Sequence, residues 1–211
     1  MTAVIAAVLA AFIPFQADAR PLSHSERTVL KQGDFWHKGC PVGLDDLRLL
    51  TLSYTDFKGA AQTGELVVNK AAVTPLSKAF GKLYRHDFRI RHMQFDDMYG
   101  PADGRPANGD TTQSFECRQA VPSPCSGGSG TGTWSNHAYG LAVDVNPLEN
   151  PYVGCGQSRD PATRPYFNRA NHRKGMVGGR AVRFFRSAGW GWGGAWTGST
   201  KDYMHFSFNG H

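Results

Sequence analysis

The sequence predicts an α+β fold, a small and mostly antiparallel sheet with flanking helices and long loops, on three observations. Residues 47–54 and 64–68 are rich in Leu, Val, Thr and Tyr, and Lys58-Gly59 and Thr63-Gly64 supply turn signals between them, which reads as a strand pair. Val73, Leu76, Phe80 and Leu83, with Tyr84 beside them, recur at spacings of three and four and so share one apolar face of a helix ending near His86. Residues 96–133 turn to Gly, Pro, Ser, Asp and Thr and a second loop fills 146–179, long irregular segments inside the domain of which the first leads straight into His137.

Taken in order, residues 1–19 read as a signal peptide: Ala3 to Phe15 is almost wholly apolar and Ala17-Asp18-Ala19 offers the small-residue cleavage pattern. No Lys or Arg precedes the apolar stretch, and an uncleaved anchor is the alternative, although the stretch is short for a bilayer. Residues 20–38 are polar and expected to be extended, and 39–211 form one catalytic domain entered at Gly39-Cys40-Pro41. Pro75 fits the helix only in its first turn. Residues 88–95 alternate well enough for a strand, on which His92 is a surface residue. Residues 141–145 form a short strand with Leu141, Val143 and Val145 on one face and Ala142 and Asp144 on the other. A short helix is expected over 181–188, a Gly/Trp cluster spans 190–196, and a last strand covers 205–208. No internal repeat or heptad pattern is present.

A hydrophobic content of 40% with 12% aromatic residues excludes a disordered chain. The formal net charge is +6, and cleavage after Ala19 would remove Asp18 and no Lys or Arg, raising it by one. That balance suits polyanionic partners, nucleic acid or an anionic cell wall. The basic residues are scattered from Arg20 to Lys201 without a dense run, so a nucleic-acid partner is not expected and the wall fits an exported chain better. Cys40, Cys117, Cys125 and Cys155 are even in number and permit three disulfide pairings among which sequence does not choose. Our working expectation is Cys40 with Cys117 and Cys125 with Cys155, pinning the long central loop at two places; no C-x2-C spacing supports a four-cysteine zinc site.

Two segments carry the chemistry, Ser135-Asn136-His137-Ala138-Tyr139-Gly140-Leu141-Ala142-Val143-Asp144 and Asp202-Tyr203-Met204-His205. His137, Asp144 and His205 form a nitrogen and oxygen donor set suited to one Zn2+ ion, expected at the sheet surface, and three protein ligands would leave a fourth position for water. Gly140 allows the chain to turn and bring Asp144 back toward His137. Asp202, three residues before His205, is placed to take a proton from water whose pKa zinc lowers from about 16 to about 7. Arg118, held beside Cys117, is the candidate donor to charge developing on a carbonyl oxygen. Ser135 is a candidate for substrate binding or ligand orientation, and Trp192 and Trp196 for the cleft wall. His24, His37, His86, His92, His172 and His211 are read as surface or core residues, and Asp96 and Asp97 as loop caps.

The pattern S-x-H-x-x-G-x-A-x-D followed by [ED]-x-x-H resembles the D-Ala-D-Ala carboxypeptidase family of zinc peptidases, which includes bacteriophage endolysins that cut between L-Ala and D-Glu; here Ser135, His137, Gly140, Ala142, Asp144, Asp202 and His205 meet it. The cluster from Trp190 to Trp196 resembles the segment before the last motif in the endolysin-like branch. The resemblance, over about residues 39–208, implies zinc ligation by His137, Asp144 and His205, a catalytic base at Asp202, and an assisting Arg for which Arg118 stands. Two departures matter: Asp202 replaces the more usual Glu, as in endopeptidase-like members, and Arg118 lies in F-x-C-R rather than Y-R-[ST]. The expectation is a secreted or wall-associated monomeric zinc peptidase acting on peptidoglycan stem peptides, with no stable membrane insertion once the signal is removed. Its alternatives are an inactive wall-binding or zinc-binding module and, from charge alone, a DNA-binding protein.

Overall fold

The computed structural model describes residues 13–125 and 130–211. Strands β1 (Ala17–Pro21), β2 (Leu47–Thr55) and β3 (Ala61–Asn69) make an antiparallel sheet in the order β1-β2-β3. Both faces of this sheet are covered, so β2 is apolar on both. Leu50, Leu52 and Tyr54 face helices α2 (Val73–Arg85) and α4 (Gly179–Arg186), whereas Leu47 and Leu49 face Leu30 of helix α1 (His24–Gln32), Phe95 and Phe115. Period-2 alternation thus feeds two cores from one strand.

Two further small antiparallel sheets carry the second half of the chain. Strands β4 (Ala142–Asp144), β7 (Gly191–Trp192) and β9 (His205–Ser207) pair in the order β4-β9-β7. Strands β5 (Tyr152–Gly154), β6 (Gln157–Ser158) and β8 (Lys201–Asp202) pair in the order β6-β5-β8. The α+β class with small antiparallel sheets, the helix ending before His86 with Pro75 in its first turn, the short helix near 181–188 and the strands near 142 and 205 are as expected. Both disulfides join the expected partners, Cys40–Cys117 and Cys125–Cys155.

Two expectations need correction. Residues 20–38 are not extended, because Ser23 caps α1: its hydroxyl accepts from the Glu26 amide while the Glu26 carboxylate accepts from the Ser23 amide. Residues 88–95 do not form a regular strand; their β pairing is limited to two isolated bridges, Thr55 with Arg89 and His92 with Thr111, and Phe95 already opens helix α3 (Phe95–Tyr99). Asp97 caps α3 by accepting from the Gln94 amide, the role expected of it. Much of the 96–133 loop is pinned from outside: the amides of Gln113, Phe115, Glu116 and Cys117 donate to Asp144, Val67, His137 and Phe35. Backbone pairing between distant segments leaves no periodic trace in sequence.

Of the expected signal peptide, residues 1–12 lie outside the described residues, as do 126–129 of the central loop. Residues 13–19 are part of the fold. Ala17, Asp18 and Ala19 pair with Leu52, Thr51 and Leu50, Phe15 packs on the α2 core, and the Tyr84 hydroxyl donates to the Ile13 carbonyl. A cut after Ala19 would divide β1. Among the described residues no helix is long and apolar enough to cross a membrane.

Candidate metal centre

The β4–β9 pair builds the site. Its register sets Val143 against Phe206 and Asp144 against His205; the first two are fully buried in the main core, and the alternation turns the next pair the other way. His137 arrives on a short 3-10 turn, Asn136–Tyr139, capped by the Ser135 hydroxyl, which accepts from the His137 amide. The turn ends at Gly140, whose φ of +64° is left-handed and whose Cα lies so close to the next strand that a Cβ would come within 2.6 Å of the Asn69 amide nitrogen. A larger residue at 140 would therefore meet both backbone strain and a clash.

His137, Asp144 and His205 converge as expected, with exposures of only 1%, 6% and 5%. They are buried at the edge of a cavity, not on an open sheet face. His137 Nε2 is 3.1 Å from His205 Nδ1, and each nitrogen is 3.2 Å from Asp144 Oδ1. A tetrahedral zinc ion with bonds of about 2.0–2.1 Å sets its ligand atoms ~3.3 Å apart, so this triangle has the edge length such an ion requires. The outer nitrogen of each ring has an acceptor: His137 Nδ1 lies 2.5 Å from the Ser114 carbonyl and His205 Nε2 3.2 Å from the His211 carbonyl. A carbonyl only accepts, so the outer nitrogens carry hydrogen, and in the neutral rings that a metal needs the inner ones then present lone pairs. Gln113 Nε2 donates to Asp144 Oδ2 at 3.2 Å, leaving Oδ1 to face the histidines.

The electrostatics suit a cation. Burial alone would raise the Asp144 pKa, but the adjacent His137 and His205 hold it well below the usual carboxylate range. Burial depresses His205, yet its bond to Asp144 more than offsets this and raises it. Asp202 behaves oppositely: burial, and then the charge of Asp144, push it up to about 7, against the pull of His205 and Arg118. Its Oδ1 is buried without a hydrogen-bond partner, which leaves a carboxylate oxygen free to engage a proton in the site.

A cavity of about 680 Å³ opens over the centre and is lined by Arg118, Ser135, His137, Asp144, Trp196, Asp202 and His205 among others. Arg118 is held beside the Cys40–Cys117 bridge and its Nε donates to Glu116 at 2.5 Å, so it is ion-paired and also faces the cavity. Trp192 does not line the cavity: its indole donates to the Tyr203 carbonyl at 2.9 Å and its ring packs against Phe206, so Trp196 is the cleft-wall indole. His24, His37, His86, His92 and His172 stay outside the lining, but His211, also read as a surface or core residue, is in it. Trp134, Asn136, Tyr152 and Arg159 line it too and were not singled out from sequence. Asn136 is next to a ligand and could have been found by adjacency; the others have no signal of their own.

In this α+β protein a buried triangle of two imidazoles and a carboxylate, with a further carboxyl lining the same cavity, is a donor group that could hold a metal ion. Residues 129–208 match the model of a family described as D-alanyl-D-alanine carboxypeptidase, and over that segment the resemblance carried by the two motifs is borne out. No curated protein and no solved structure matches the chain.

Proposed function

We propose that the chain is an exported, zinc-dependent peptidase that hydrolyses peptide bonds in peptidoglycan stem peptides. The observation that carries the reading is the His137–Asp144–His205 triangle with edges of 3.1–3.2 Å, in one cavity with Asp202. His137, Asp144 and His205 would hold one Zn2+ ion. When bound, zinc supplies Lewis acidity, lowering the pKa of water and polarising a carbonyl. Asp202 accepts the proton of the attacking water as the new C–O bond forms, and returns it to the departing amine as the C–N bond breaks. Arg118 would donate to the charge that gathers on the carbonyl oxygen, and Ser135 and Trp196 would contact the peptide. Every group in this scheme comes from one chain, so a monomer suffices.

Asp202 in place of Glu favours internal, endopeptidase-like cleavage over removal of a terminal D-Ala. The intact Asp202 also speaks against an inactive binding module. Two disulfides and the apolar start of the chain support export to the wall. Digesting peptidoglycan with the purified protein, with and without a chelator, tests the reading. New peptide termini are expected only in the zinc-replete arm, and their absence there would leave the binding module as the better account.

A further inference from the structure

We propose that residues Asn209, Gly210 and His211 are positioning residues of the metal centre, acting through the His211 main-chain oxygen, which as a carbonyl or a carboxylate oxygen accepts from His205. This rests on the metal reading above and adds a segment that neither motif contains. The two histidines use opposite nitrogens, Nε2 of His137 and Nδ1 of His205. A neutral imidazole offers one lone pair, so a ring that ligates through Nδ1 must carry its hydrogen on Nε2, and something must accept it. For His205 that acceptor is the His211 carbonyl at 3.2 Å.

The carbonyl is fixed from several sides. Asn136 Nδ2 and the Ser207 hydroxyl, the latter at 2.9 Å, also donate to it. Asn136 Nδ2 further reaches Asn209 Oδ1 at 2.7 Å, and Asn209 Oδ1 accepts from the His211 amide at 3.1 Å. Trp196 Nε1 donates to the Gly210 carbonyl at 2.5 Å, and its ring stacks on His211 at 16° while lying 5.9 Å from His205. Gly210 has a φ of +79°, and a Cβ on Gly191 of β7 would come within 2.5 Å of the Gly210 Cα, so strand and tail meet backbone to backbone. Asn136 adjoins His137, so one amide ties the tail to the other histidine's turn. Groups that orient a ligating histidine typically change metal affinity about 10–100-fold when removed.

The test uses the full chain and a variant lacking residues 209–211, with zinc affinity measured by competition against a chromophoric chelator and the visible spectrum of the Co2+-loaded form as a geometric readout. Deletion is expected to weaken zinc about 10–100-fold and to alter the Co2+ spectrum. His211→Ala, which retains the carbonyl, should bind zinc within about 2-fold of the full chain. A deletion variant that binds zinc as the full chain does, with the same Co2+ spectrum, overturns the inference, and so does His211→Ala losing as much affinity as the deletion. Should the deletion variant not fold, Trp196→Phe, which frees the Gly210 carbonyl, decides: weaker zinc binding supports the clamp and unchanged binding contradicts it. A full chain that binds no zinc would instead overturn the metal reading itself, and this inference with it.

Discussion

Replacing Asp202 with Asn keeps the shape of the side chain and removes its ability to hold a proton. The expected result is a variant that binds zinc normally and loses at least ~100-fold in turnover, the usual scale for a general acid-base group. His137→Ala removes one corner of the triangle and is expected to lose both metal and turnover; zinc content by atomic emission separates the two cases. Near-normal activity in Asp202→Asn would remove Asp202 from its assigned role. At this scale the three candidate ligands were legible because their chemistry is written in side chains at fixed spacing. The acceptors Ser114 and His211 were not, since they act through backbone carbonyls, which every residue has.

At the scale of elements, the Cys40–Cys117 bridge closes a span of 77 residues and holds the loop that bears Arg118. In the chain-entropy picture a loop of this length contributes about 4 kcal/mol, so the Cys40→Ser, Cys117→Ser variant should unfold in urea at a clearly lower midpoint. An unchanged midpoint would mean that the loop is held without it. Strand β1 offers a second test, because a cut after Ala19 would remove Phe15 and three of its paired residues. A chain starting at Arg20 is expected to be about 1–3 kcal/mol less stable than one starting at Ile13, the range for burying one large apolar side chain. Equal stabilities would show that this segment is dispensable to the fold, and N-terminal sequencing of the protein recovered from its host would show whether a cut is made there. Helices and strands with strong periodicity were legible here. Helix α1 was missed although Ser23 and Glu26 form a capping-box pattern, and the regular strand expected over 88–95 is absent because its partners are single distant residues, Thr55 and Thr111.

For the whole molecule, pH is the natural probe, because a second buried charge cluster lies outside the metal triangle. Arg91 pairs with Asp110 at 2.7 Å and with Glu149 at 2.6 Å, and both carboxylates are fully buried. Burial first, and then the nearby Asp110, push Glu149 up to about 7, against the Arg91 bond. A carboxyl whose pKa is higher folded than unfolded binds its proton more tightly in the folded state. Its contribution is therefore complete below about 4.5 and is lost as pH rises through about 7. The expected loss is on the order of 2 kcal/mol, and Glu149→Gln, which mimics the protonated form, should flatten that slope in urea unfolding at pH 5 and pH 8. None of this was visible in sequence, since Arg91, Asp110 and Glu149 are brought together only by the packed loops. The most direct test of the proposed activity is mass spectrometry of a defined stem pentapeptide after incubation with the zinc-loaded full chain. Scission after L-Ala, abolished by chelator and restored by added zinc, is the result expected; an unchanged pentapeptide with zinc bound would contradict a peptidase function.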